Sequence, residues 1–157
     1  MQTTRQLFDS LVQNLIKDIA GKAVDANLQT YLEQNYPADS QAFRQLSDAC
    51  RTGIAEGWLC NREQAGIKFG RILKPGPESH DYSVDVVDMD GIIGPHHRHP
   101  NGEIDMVVAE SADALFDGHG SGWVVYGPGS EHSPTVTGGR AIILYLLPGG
   151  KIEFTGK

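Results

Sequence analysis

The sequence predicts a mainly β protein with an α-helical N-terminal segment, the β part forming a small barrel or jelly roll. Three observations carry this. Composition shifts near residue 65: of the 19 glycines only Gly21, Gly53 and Gly57 precede Gly66, and Pro37 is the one proline before it. Ahead of that point, apolar residues recur at helical spacing. Beyond it, short alternating runs are separated by Gly, Pro and Asp turns, which favours an antiparallel barrel over a βαβ fold. The chain therefore divides into a helical segment, 1–62, and a β-domain, 63–157.

The first helix is expected from about Thr4 to Ala20, with Thr3 and Gln6 in capping-box spacing. Leu7, Leu11 and Leu15 form one row, flanked by Phe8, Val12, Ile16 and Ile19, and Gly21 suits the stop. A second helix, Asp25–Asn35, carries Leu28, Tyr31 and Leu32 and ends before Pro37. A third begins near Asp39 or Ser40, carries Phe43, Leu46, Cys50 and Ile54, and ends at Gly57. No chemistry is visible on these helices; their apolar rows are packing surfaces, onto the β-domain or between subunits. Eight strands follow: Ile67–Leu73, Tyr82–Met89, Ile92–Arg98, Glu103–Val108, Gly122–Tyr126, Ser133–Val136, Ala141–Leu147 and Ile152–Phe154.

The totals exclude several classes of function. With 157 residues the chain is long enough for a real core, and 39% hydrophobic with 21% charged residues is ordinary for a soluble globular protein. A net charge of −7 and a pI near 5.2 argue against nucleic acid as a partner. The longest apolar run, Ala141–Leu147, is strand-sized, so no membrane span is expected. The N-terminus lacks the apolar core of a signal peptide. Two cysteines, Cys50 and Cys60, make no disulfide framework, which fits a cytoplasmic protein. No glycine fingerprint for a nucleotide or flavin is present.

All six histidines lie in the β-half. His97 and His99 stand two apart, so a strand turns both rings to one face. The turn Pro100-Asn101-Gly102 then returns the chain and brings Glu103 toward the same space, with His96 as a spare imidazole. Downstream, His132 follows a glycine-rich corner and completes the set. Three imidazoles and a carboxylate suit a divalent metal ion: zinc, iron(II), manganese(II) or nickel(II).

Gly91-x5-His97-x-His99-x3-Glu103 resembles the first motif of the cupin superfamily, and Gly127-Pro128-Gly129-Ser130-Glu131-His132 resembles the second. Glu110, Gly127 and Val136 depart from it, standing where the motifs carry glycine, proline and asparagine. The resemblance implies a cupin-type β-barrel with its ligands in the mouth, and a homodimer. A closer resemblance covers nearly the whole chain, most specifically Phe116–Thr155: the sequence is similar to the 4-hydroxylaminobenzoate lyases of nitroaromatic degradation. That implies conversion of 4-hydroxylaminobenzoate and water to protocatechuate and ammonia, on a small aromatic acid substrate. A metal would then make water nucleophilic or hold the hydroxylamino group. Glu131, His119 and His96 are the candidate proton donors. Arg71, Lys68 or Arg98 is the candidate partner for the substrate carboxylate, Arg71 being preferred because arginine binds carboxylates bidentately. Asp105 alternates with Glu103 and is the candidate partner of a liganding histidine. Tyr126, Trp123 and Tyr145 are candidate pocket walls. An iron dioxygenase, a sugar isomerase or a non-catalytic ligand-binding cupin is the alternative.

Overall fold

The computed structural model describes residues 2–157, which form three α-helices followed by eleven strands. The helices begin where short polar side chains cap them. In α1 (Thr4–Ile19), Thr3 accepts from the Gln6 backbone and Gln6 accepts in return. Asp25 caps α2 (Ala26–Asn35) and Ser40 caps α3 (Gln41–Glu56).

The strands are β1 (Arg62–Gln64), β2 (Ile67–Leu73), β3 (Tyr82–Asp90), β4 (His97–His99), β5 (Glu103–Ala109) and β6 (Leu115–Phe116). They continue with β7 (Gly122–Tyr126), β8 (Ser130–His132), β9 (Val136–Thr137), β10 (Arg140–Pro148) and β11 (Glu153–Phe154). Six make one antiparallel sheet in the order β1-β2-β3-β10-β5-β7. The short strands β11-β4-β8 and β6-β9 form the opposing side. This is the cupin-type jelly roll that the resemblance implies.

Alternation gives the large sheet two buried faces. Val84, Val86, Ile104, Met106, Ile142, Leu144 and Leu146 face the helices and share one core with Phe8, Ile16, Leu32 and Phe43. The helical rows therefore pack onto the β-domain. Val87, Met89, Val107, Val124, Ile143, Tyr145 and Leu147 face the barrel interior with Phe116 and Val136. The edge strand β7 is covered by helix α2 and the loop after it: the Val125 N–H donates to the Gln29 side chain, and the Trp123 indole donates to the Tyr36 carbonyl. No described helix is long and apolar enough to cross a membrane. Both cysteines are buried as free thiols.

Several boundaries differ from expectation, for local reasons. The stretch expected as one strand over Ile92–Arg98 is a strand only at His97–His99, with Ile93 making an isolated bridge to Thr135. Pro95 lies between them and has no N–H to lend a ladder. Pro134 likewise splits the expected Ser133–Val136 strand, leaving Ser130–His132 and Val136–Thr137. Strand β3 runs one residue past the expected end, to Asp90, and within it the Arg140 guanidinium grips both Asp88 oxygens, at 2.8 and 3.0 Å. Strands β1 and β6 were not expected, since the first is exposed and polar throughout and the second is only two residues long. Glu110, where the cupin motif has glycine, joins β5 to α3 through Arg51 at 2.8 Å.

Candidate metal centre

Two sheets supply the centre. On the small sheet His97 lies directly opposite His132, and His99 opposite Ser130, so both pairs share a face. Glu103 begins β5 on the large sheet and points across to them. The connecting turn needs Gly102, whose φ is +90° and whose added Cβ would stand 2.9 Å from the Tyr126 carbonyl oxygen. One ligand atom from each of His97, His99, Glu103 and His132 falls within 4.8 Å of every other.

The contacts at the centre define its chemistry. Glu103 is fully buried, and neither of its oxygens has a hydrogen-bond partner among the described residues. Its oxygens lie 3.2 Å from His99 Nε2, 3.3 Å from His97 Nε2 and 3.5 Å from His132 Nε2. His97 and His132 bring their own Nε2 atoms to 3.2 Å of one another.

The other ring nitrogens show which way the protons lie. His132 Nδ1 donates to Asp117 Oδ2 at 2.6 Å, and His97 Nδ1 donates to the Pro95 carbonyl at 3.4 Å. Ser130 donates its own proton to the Gly127 carbonyl at 2.6 Å, so it accepts from His99 Nδ1 at 2.9 Å. In the neutral rings all three Nε2 atoms are then bare lone pairs aimed at a bare carboxylate. Atoms sharing an ion at about 2.1 Å stand roughly 3.0–3.4 Å apart, close to the spacing seen, so the donor set fits a divalent metal.

Asp117 anchors this side of the site. It takes the Tyr126 hydroxyl at 2.5 Å, His132 at 2.6 Å and the Thr135 N–H at 2.9 Å. Burial alone would push its carboxyl up, but those donors hold it below the usual range. Burial and the Glu103 charge push Asp105 well up, and neither of its oxygens has a hydrogen-bond partner among the described residues.

The other residues singled out in the sequence are placed as follows. Tyr126 stacks on His99 with ring centroids 5.4 Å apart and lies 4.4 Å from the His132 ring, wedging the ligands. Tyr145 lies beside Asp105 in the interior, 6.5 Å from the His97 ring, whereas Trp123 faces the helices. The period that turns His132 inward turns Glu131 outward, opposite Arg98, where it pairs with Lys157. His96 joins that outer network through Glu131 and Thr155. His119 lines a separate cleft with Glu33 and Trp123. Lys68 stands opposite Asp88, facing away from the barrel interior, while Arg71 stands opposite Asp85 on the interior face. Sequence reasoning missed Asp117 and Ser130, whose contacts cross between strands and leave no local spacing to read. It also missed Phe154, which is exposed and edges onto His97 at 6.0 Å.

Two measurements check this geometry. Asp117→Asn should weaken metal binding roughly 10–100-fold while leaving the fold intact, as read by competition with a chromophoric chelator. Unchanged affinity would mean that the ring of His132 needs no carboxylate to hold it. The second concerns protons. Burial lowers the His132 pKa, but Asp117 and Glu103 outweigh it and raise it to about 9 in the metal-free protein. A metal must displace that proton, so affinity should climb with pH and level off above about 9. The same raised pKa stabilises the metal-free fold below the ordinary imidazole value, and this is lost as pH rises through about 9. Metal-free Tm should therefore fall over that window; a metal affinity independent of pH would contradict the assignment.

A family model described as PnbB, 4-hydroxylaminobenzoate lyase, matches residues 10–154. A protein of Pseudomonas putida named 4-hydroxylaminobenzoate lyase is 31% identical, the match covering 90% of each chain. One of the same name from Nocardioides sp. (strain LMS-CY) is 29% identical over 98% of this chain and 96% of that protein. Among solved structures, the DMSP lyase DddQ from Ruegeria pomeroyi DSS-3 is 18% identical with a TM-score of 0.45, covering 94% of this chain and 95% of that one. An RmlC-like cupin protein from Ralstonia eutropha JMP134 is 15% identical with a TM-score of 0.43, over 58% of this chain and 60% of that one. Since the family match runs from α1 through β11 and takes in all four converging residues, the chain belongs to the 4-hydroxylaminobenzoate lyase family.

Proposed function

We propose that the chain is a divalent-metal-dependent lyase that converts 4-hydroxylaminobenzoate and water to protocatechuate and ammonia. The observation that carries this reading is the convergence of three Nε2 atoms on the unpartnered carboxylate of Glu103, in a chain of that family. The reaction balances without an external oxidant or reductant. The N–O bond breaks with a proton delivered to the departing hydroxyl, and a water oxygen enters at the ring carbon next to the one bearing nitrogen. Hydrolysis of the resulting imine puts the second hydroxyl in place of nitrogen and releases ammonia, so one water is consumed in total. No nucleotide or flavin is required.

His97, His99, Glu103 and His132 are the residues that would hold the ion, which supplies Lewis acidity toward an oxygen of water or substrate when bound. The remaining groups position and enclose. Asp117 and Ser130 fix the rings of His132 and His99, so the lone pairs stay aimed at one point. Phe116, 6.2 Å from the His132 ring, makes the interior beside the centre apolar together with Val136 and Leu147. Asp105 faces the same interior, fully buried, where burial and the Glu103 charge hold its carboxyl well above the usual range.

Metal-replete protein should release ammonia and protocatechuate from 4-hydroxylaminobenzoate in equal amounts. His97→Ala and His99→Ala should lose bound metal and fall to background activity, as read by elemental analysis beside an ammonia assay. Full activity in a metal-free variant would sink the metal role. Oxygen uptake during turnover without ammonia would replace the lyase reading by a dioxygenase.

A further inference from the structure

An aromatic acid bound beside this centre meets an acidic interior. Glu103, Asp105 and Asp85 all project from the inner face of the large sheet. The anionic end of the substrate therefore needs a cation on that face.

Register decides which cation is available. Lys68 lies opposite Asp88, and Arg140 binds the same Asp88, so both belong to the outward face. Arg98 points out of the small sheet toward Glu153. Arg62 shares the inner face, opposite Phe69, but sits on the exposed edge strand β1 in the row of Val107. Arg71 lies opposite Asp85, which lies opposite Tyr145, which lies opposite Asp105. Its row meets β5, three strands across the sheet, two residues from Glu103, whereas that of Arg62 crosses four strands to meet β5 four residues from it.

The guanidinium is held and yet incompletely used. Its Nε donates to Asp85 Oδ1 at 2.9 Å, and Nη2 donates to Asp85 Oδ2 at 3.2 Å and to the Gly150 carbonyl at 3.4 Å. No acceptor among the described residues takes the protons of Nη1, and the side chain is 34% exposed. Gly150 leaves that edge clear: it has φ +65°, and an added Cβ would stand 2.6 Å from Pro75 and 3.2 Å from Nη1. Asp85 therefore fixes the plane of the fork while two of its five N–H donors stay available. A guanidinium already fixed in place loses little further entropy when it binds a carboxylate.

We infer that Arg71, clamped by Asp85 and the Gly150 carbonyl, is the substrate-positioning residue whose Nη1 edge takes the carboxylate of the aromatic acid. The identity of that acid rests on the lyase reading, and the benzoate probe tests the carboxylate subsite separately from it.

The test uses the metal-loaded full chain with benzoate and benzamide as probes, by calorimetry, on wild type, Arg71→Lys and Arg71→Met. Wild type should favour benzoate roughly tenfold or more, as expected for a charge-assisted pair. Arg71→Lys should narrow the preference and Arg71→Met should remove it, both at unchanged metal content. The KM for 4-hydroxylaminobenzoate should rise in the same order with kcat little changed. Absence of a preference in wild type, or a preference undiminished in either variant, would overturn the assignment. If benzoate binding depends on Arg71 but no ammonia is released, the subsite stands and the lyase reading falls. Ammonia release with probe binding indifferent to Arg71 gives the reverse.

Discussion

Glu103 sets the terms for this molecule. A carboxylate with no exposed surface and no hydrogen-bond donor is costly by several kcal/mol unless positive charge sits against it. The polar groups close by are the buried Asp105 carboxyl and three imidazole Nε2 atoms, whose other nitrogens are committed to Asp117, Ser130 and the Pro95 carbonyl. Either a proton on one ring or a metal ion among all four groups supplies the missing charge. The first accounts for the raised pKa of His132 in the metal-free protein, and the second is the arrangement that the donor set fits.

The rest of the fold follows from holding that cluster rigid. Glu103 comes from the large sheet and the histidines from the small one, so the distance between sheets must be fixed. Helices α1 and α3 bury one face of the large sheet, and α2 with the loop after it closes its β7 edge. Inside, Tyr126 fills the space between His99, His132 and Asp117, so packing and hydrogen bonding act on the same three residues. The departures from the cupin motifs are compatible with this. Glu110 exchanges a turn glycine for ion pairing to α3, and Val136 puts an apolar side chain in the interior core.

What the sequence shows is what local geometry determines. A period of two along His97–His99 and a glycine turn before Glu103 are local facts, and the approach of His132 follows once β8 pairs with β4. The helix caps at Thr3, Asp25 and Ser40 are legible for the same reason. Asp117 is not legible beside its neighbour His119, because only the fold brings a carboxylate from the loop after β6 to the ring of His132. Alternation alone reads Glu131 and Arg98 alike, since both flank inward histidines and both point outward. The prolines at 95 and 134 are equally legible, and each breaks the strand that the apolar pattern around it suggests.

The claim at the centre of this account is that one ion satisfies Glu103 and three imidazoles together. X-ray absorption at the metal edge of the loaded protein addresses it most directly. The expected result is a shell of nitrogen and oxygen atoms at about 2.1 Å with multiple scattering from about three imidazoles. Protein that binds a stoichiometric ion without imidazole scattering, or with sulfur in its first shell, would contradict it.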